Sequence, residues 1–336
     1  MKEQHLKRQI LTQLLIGENH ISADKKPWKI MRSESFEKQG VLITPMKYES
    51  REYPYLKTNH VNGKTIKNPV RALIPALLLE PSKENRKAGK GIIALHQHAL
   101  NFELGKSEPA GLVTGPDGPS QHYGLELAQR GYTVLCFDFP GFEERKLVST
   151  DKLKKEHAGK IANVDEHFIK QEASLSKLEL MGLYVLDTMR AVDVLEKLGI
   201  TEVGVIGHSL GGMVLSYAMA CDPRIKVGAS NCGVATYQSI GDLPMLHNLA
   251  YCIHGIRKEL GEWHEICNLT SPRLLLISAG TKDPIFPIEG VRNFVKWGKR
   301  YYKGCEDMLQ LFEFAGEHKF PDEARKEAYH FLDQHL

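Results

Sequence analysis

Thr201-Glu202-Val203-Gly204-Val205-Ile206-Gly207-His208-Ser209-Leu210-Gly211-Gly212-Met213-Val214-Leu215-Ser216-Tyr217-Ala218-Met219-Ala220-Cys221 changes character twice along its length. Val203 to Ile206 is a short β-branched run of the buried-strand type, and the helical run Met213 to Cys221 stops before Asp222-Pro223. Between them lies Gly207-His208-Ser209-Leu210-Gly211, a G-x-S-x-G sequence at a strand-to-helix turn. The pattern alone arises by chance in unrelated chains; a strand before it and a helix after it are what give it meaning. A strand that turns at once into a helix has no room for a Cβ two positions either side of a strained residue, which explains the flanking glycines. This reading places Ser209 at the tip of the turn, its hydroxyl exposed and a helix N-terminus behind it, with Gly212 allowing the helix to pack closely on a sheet.

The 336 residues carry 44 basic and 41 acidic side chains, a formal charge of +3 with both signs interspersed. That balance leaves no electrostatic footprint for nucleic acid or an anionic membrane. Six cysteines (Cys136, Cys221, Cys232, Cys252, Cys267 and Cys305) show no C-x-x-C spacing, which argues against a zinc site or a disulfide framework. A chain of this length buries enough core to need neither. Met1 to His20 is charged, its apolar stretch too short and broken for a signal peptide, and no run reaches the roughly eighteen apolar residues of a membrane span. The expectation is a soluble cytoplasmic protein without metal or organic cofactor, its partner a small-molecule substrate, with homo-oligomerisation left open.

Around the central stretch, apolar runs alternate with helical patterns. Leu6, Ile10, Leu14 and Leu15 predict an amphipathic helix docked on the body. Val41 to Ile43 and Val70 to Leu79 read as antiparallel edge strands, with Asn62-Gly63 as a hairpin signal between them. Gly91 to Leu95, Tyr132 to Phe137, Lys226 to Ala229, Arg273 to Ile277 and Leu309 to Phe314 read as further strands. Helices are expected near 121–130, 174–198 and 288–302 and from Pro321, with a helical excursion over 236–266. The loop from Ala99 to Ser120 is long, rich in glycine and proline, and leaves a central strand, so it is expected to line the site. This order predicts an α/β fold, a mostly parallel sheet with helices on both faces. Residues 1–69 form an N-terminal extension and 70–336 the main domain, with cap insertions near 150–172 and 236–266.

A serine hydroxyl becomes nucleophilic only when a base takes its proton and a third group orients that base. Where a serine sits on such an elbow, the acid and then the histidine follow it in the chain. Asp283, in the loop after Arg273 to Ile277 and ahead of Pro284, is the best-placed acid; Asp242 and Asp307 do not directly follow an apolar strand. His318 follows the last strand, whereas His330 and His335 fall in the terminal helix. The oxyanion of an attacked carbonyl would take the backbone N–H of Leu210 and a second N–H from His96-Gln97-His98, assigned to His98 with Gln97 as the alternative. The paired histidines make a poor metal site, since no third histidine or carboxylate is spaced to complete it.

From about Val70 onward the chain resembles the α/β-hydrolase superfamily. The run Leu95 to Leu112 with Phe137 to Arg145 is similar to the branch of acetyl xylan esterases and dienelactone hydrolase relatives. The resemblance implies an eight-stranded, mostly parallel sheet and ester hydrolysis through an acyl-enzyme, and it matches Gly207 to Gly211, Asp283 and His318 to the motif positions. Two departures stand out: serine where dienelactone hydrolases carry cysteine, and His-Gln-His where many esterases have His-Gly-Gly. The expected activity is cleavage of small-acyl carboxylic esters. Its rivals are the same residues acting on an amide or carbon–carbon bond or in acyl transfer, and a hydrolase-like protein that binds without turnover.

Overall fold

The computed structural model describes residues 2–17, 27–51, 71–146, 164–175, 178–243 and 248–336. Its apolar runs become the strands β1 (Ile30–Arg32), β2 (Phe36–Lys38), β3 (Val41–Glu49), β4 (Leu73–Pro81), β5 (Lys90–Leu95), β6 (Thr133–Phe137), β7 (Glu202–His208), β8 (Ile225–Asn231), β9 (Leu274–Gly280) and β10 (Leu309–Phe314). They join one sheet in the order β1-β3-β4-β6-β5-β7-β8-β9-β10, with β2 also on β3. Strands β5 to β10 run parallel, and the pairings of β1 to β4 are antiparallel. The sheet is thus mixed, its larger part parallel.

The eight strands read from apolar runs are β3 to β10. Two more, β1 and β2, are three residues each and too short to show alternation in the sequence. β2 and β3 are joined by Gln39-Gly40, both at positive φ (50° and 77°), a two-residue connection whose twist suits paired strands. The expected Asn62-Gly63 hairpin and Val70 lie outside the described residues, as do residues 150–163 of the first expected insertion.

The longer helices are α1 (Lys2–Ile16), α2 (Tyr123–Gln129), α3 (Val164–Leu175), α4 (Leu180–Lys197), α5 (Leu210–Cys221), α6 (Ile288–Gly298) and α7 (Asp322–His335). One face of the sheet packs on Leu183 of α4, Leu215 of α5 and Phe294 of α6, the other on Leu127 of α2 and Phe331 of α7. Burying both faces is what allows parallel strands to be apolar throughout. Helix α1 buries Leu11, Leu15 and Ile16 but leaves Leu6 exposed, so its buried stripe is rotated from the expected one. Gly182 of α4 faces the Leu15 carbonyl so closely that a Cβ would overlap it.

The helix expected over 174–198 is divided, with Ser174 in α3 and α4 starting at Leu180. The described residues of the excursion over 236–266, which leave out 244–247, form a series of short turns, Tyr237–Gly241, Leu249–Tyr251, Ile256–Glu259 and Trp263–Ile266. Gly255 and Gly261, at φ 76° and 95°, interrupt it. Trp263 stacks on Tyr217 of α5 and on Tyr237, both at 5.5 Å, and fastens these turns to the body. Among the described residues no helix is long and apolar enough to cross a membrane.

β5 sits between β6 on one side and β7 on the other, so the chain changes winding direction there. Such a switch point opens a crevice at the carboxyl ends of the strands, where ligands bind in open α/β sheets.

Candidate active site

Ser209 joins β7 to α5 at φ 54° and ψ −118°, a conformation that side chains seldom adopt. The two motif glycines make this turn sterically feasible. A Cβ on Gly207 would overlap the Gly211 backbone, and one on Gly211 would overlap the Leu95 carbonyl of β5. The Ser209 N–H is fixed by the Asn231 carbonyl at 2.9 Å. The sequence predicts an exposed hydroxyl; Ser209 is instead only 4% exposed, with the His318 ring against its Oγ.

His318 follows β10, and its Nε2 lies 2.8 Å from Ser209 Oγ. On the other side of the ring, Nδ1 lies 2.8 Å from Asp283 Oδ2, in the loop after β9. A carboxylate only accepts, so Nδ1 carries the proton and Nε2 presents its lone pair to the serine O–H. The other Asp283 oxygen accepts the N–H groups of Ile285 and Phe286 at 2.8 and 2.9 Å. Burial pushes the Asp283 carboxyl up, but the hydrogen bond and charge of His318, with those two N–H donors, outweigh it and hold the group below the usual carboxylate range. Phe286 stacks on the His318 ring at 5.8 Å. The structure thus brings together the three side chains singled out in the sequence, 109 and 35 residues apart along the chain.

Leu210 is the first residue of α5, so its N–H has no carbonyl one turn back to bond and points out of the helix N-terminus. His98 lies past the end of β5, and among the described residues its N–H meets no backbone carbonyl. The neighbouring side chains are locked. His96 Nδ1 donates to the Gln97 carbonyl at 2.8 Å, and Nε2 accepts the Phe139 N–H at 3.1 Å. Burial pushes the His96 imidazole down to about 4, so the ring is neutral. Gln97 Nε2 donates to both Glu108 oxygens at 3.2 Å and to Asp117 Oδ2 at 2.9 Å, which turns its side chain into the 99–120 loop. Lys106 of the same loop is buried among Asp138, Glu143 and Glu144 at 2.9, 2.6 and 2.8 Å. Those three carboxylates would otherwise suggest a cation site, and the lysine ammonium occupies their centre.

Residues 112–316 match the alpha/beta hydrolase family, more than half of the chain. The chain belongs to the α/β-hydrolase family. The matched stretch contains Ser209 and Asp283 and ends two residues before His318. This α/β hydrolase is 27% identical over 270 residues to YtaP of Bacillus subtilis (strain 168), a protein assigned as a hydrolase, covering 78% of this chain and 83% of that one. Its fold is similar to that of a Bacteroides fragilis NCTC 9343 protein assigned as an acetyl xylan esterase (TM-score 0.67, 13% identity, 98% of this chain and 83% of the other). It is also similar to the glucuronoyl esterase of Solibacter usitatus (TM-score 0.63, 14% identity, 99% and 92%).

Sequence reading of the hydrolase passed over several groups that hold this arrangement. Asn231, at the end of β8, donates to His208 Nδ1 at 2.7 Å and to the Lys319 carbonyl at 2.8 Å, and its own oxygen accepts from Ser278 at 2.7 Å. The signal was present: Ser230-Asn231 and Ser278 are polar residues at the carboxyl ends of apolar strands, where a buried polar group must have partners. Glu166 of α3, hydrogen bonded to His98, carried no such signal, because it lies in a charged stretch without a neighbouring strand.

Proposed function

We propose that this enzyme is a serine esterase that cleaves carboxylic esters of small acyl groups through an acyl-enzyme. The observation that carries the reading is the continuous row Ser209 Oγ, His318 Nε2, His318 Nδ1 and Asp283 Oδ2, with 2.8 Å at both contacts. Ser209 Oγ bonds to the ester carbonyl carbon while its proton passes to His318 Nε2. Asp283 keeps the ring in the required tautomer and stabilises the imidazolium. The oxyanion takes the N–H groups of Leu210 and His98, donors that are each worth roughly 3 to 4 kcal/mol in the transition state. Collapse breaks the bond to the alcohol, which leaves with the proton from His318. Water then repeats the sequence and releases the acid. No metal or organic cofactor takes part in this scheme. Esterase names on two structures of similar fold favour esters over amides. The acyl pocket is assigned to the 99–120 loop and the turns of 237–266.

A fluorophosphonate probe tests the reading. Stoichiometric labelling at Ser209, hydrolysis of short-chain aryl esters ahead of the matching amides, and loss of both in Ser209→Ala are expected. Binding of an ester without labelling or turnover would make the protein a receptor, and faster cleavage of amides would reassign the bond.

A further inference from the structure

Glu166 of α3 and His98 form a buried pair, 1% and 2% exposed, with His98 Nε2 3.3 Å from Glu166 Oε2. On the far side of the His98 ring, Nδ1 accepts the Leu100 N–H at 3.2 Å. The imidazole is therefore the tautomer with its proton on Nε2, and it donates to Glu166. The other Glu166 oxygen accepts the Leu249 N–H at 3.0 Å, in the turn Leu249–Tyr251. One carboxylate thus answers two N–H donors from separate segments.

Between those bonds the chain is strained. Ala99 and Leu100, directly after His98, both sit at φ 49° without being glycine. Such a conformation persists only where its surroundings over-determine it. The Leu100 bond to Nδ1 and the Asn101 N–H bonded to the His98 carbonyl at 3.2 Å hold this turn. The first of these depends on the orientation of the His98 ring. The rings of Phe102 and Phe142, at 5.1 and 5.4 Å, pack around it, and Glu166 sets its remaining direction.

The geometry points to Glu166 as a positioning residue that acts through the His98 imidazole to aim the His98 backbone N–H at the oxyanion. The inference rests on the esterase reading above. Only a carboxylate serves here. A glutamine turned with its oxygen toward His98 sets its NH2 against the Leu249 N–H. Turned the other way, it forces His98 into the opposite tautomer, whose Nδ1–H then faces the Leu100 N–H. Either way a buried donor is left without an acceptor.

α3 docks on the same turn by a second contact that does not involve His98. Lys170, one helical turn beyond Glu166, donates to the carbonyls of Leu249 and Cys252 at 3.1 and 3.3 Å. This contact separates docking of α3 from aiming of His98. In the full-length enzyme, Glu166→Gln is expected to lower kcat on a short aryl ester by roughly tenfold to a hundredfold, since a misplacement of about 1 Å can cost that much. KM should stay within about threefold. Affinity for an aryl boronic acid, whose adduct on Ser209 places an oxygen in the oxyanion position, should fall in parallel with kcat. Lys170→Met should lower the melting temperature while kcat stays within about threefold. If Glu166→Gln does not fold, His98→Asn takes its place with the same expected profile. Unchanged kcat and boronate affinity in the Glu166 variant, or an equal kcat loss in Lys170→Met, overturns the inference. A wild-type enzyme that is not labelled at Ser209 overturns the esterase reading instead.

Discussion

The imidazole of His208 lies 4.9 Å from that of His318, centre to centre, with the rings tilted by 38°. Burial pushes the His208 imidazole well down, and the neighbouring His318 adds to that. Its Nδ1 accepts from Asn231, so the ring is neutral and can lie beside a group that becomes positive during catalysis. His208→Phe retains a ring but removes the acceptor for the buried Asn231 amide. A loss of about 1 to 3 kcal/mol is expected in denaturant unfolding. Stability equal to wild type would show that Asn231 finds another acceptor.

Asp283→Asn should cost about four orders of magnitude in kcat, since an amide cannot hold the His318 tautomer. Its effect on stability has a defined pH course. The folded-state pKa of Asp283 is depressed, so its contribution is present above the ordinary carboxylate range and disappears as pH falls through the folded value. Denaturation midpoints of variant and wild type should therefore differ most near neutrality and converge in acid.

His96 has the opposite charge logic. Its pKa falls from 6.5 to about 4 on folding, so the unfolded chain binds its proton first and stability drops as pH falls from 6.5 to 4. At about 1.4 kcal/mol per unit the drop amounts to roughly 3 kcal/mol. His96→Asn should be less stable than wild type at pH 7, and the gap should narrow toward pH 4. A constant gap across unfolding curves would mean that His96 is not the titrating group.

Gly211→Ala places a methyl group against the Leu95 carbonyl, the end of the strand that leads into the oxyanion loop. Backbone cannot swing aside as a side chain can, so β5 and α5 must separate. Loss of fluorophosphonate labelling with most of the secondary structure retained by circular dichroism is the expected result.

How much of this was readable in the sequence depended on how local each signal was. Strands β3 to β10 announced themselves as apolar runs, and the serine, acid and histidine as residues closing those runs, because both signals lie within a few positions of each other. Long-range partners left no such trace. Glu166 meets His98 across 68 residues, and Asn231 meets His208 across 23, with nothing in either neighbourhood naming the other. The glycines of the 236–266 stretch were visible, but a helix-like composition hid that they divide it into single turns. The exposure of Ser209 was misjudged for a related reason: what covers a residue is decided by segments remote in sequence.

Arg8 of α1 donates to the carbonyls of Ala220 and Leu269 at 2.8 and 2.9 Å, 212 and 261 residues further along. On the ribosome this helix is made more than two hundred residues before the surface that receives it. Until then Leu11, Leu15 and Ile16 have no seat, and a nascent chain must carry them uncovered or shielded by a chaperone. A helix made before its seat thus waits for its place in the fold.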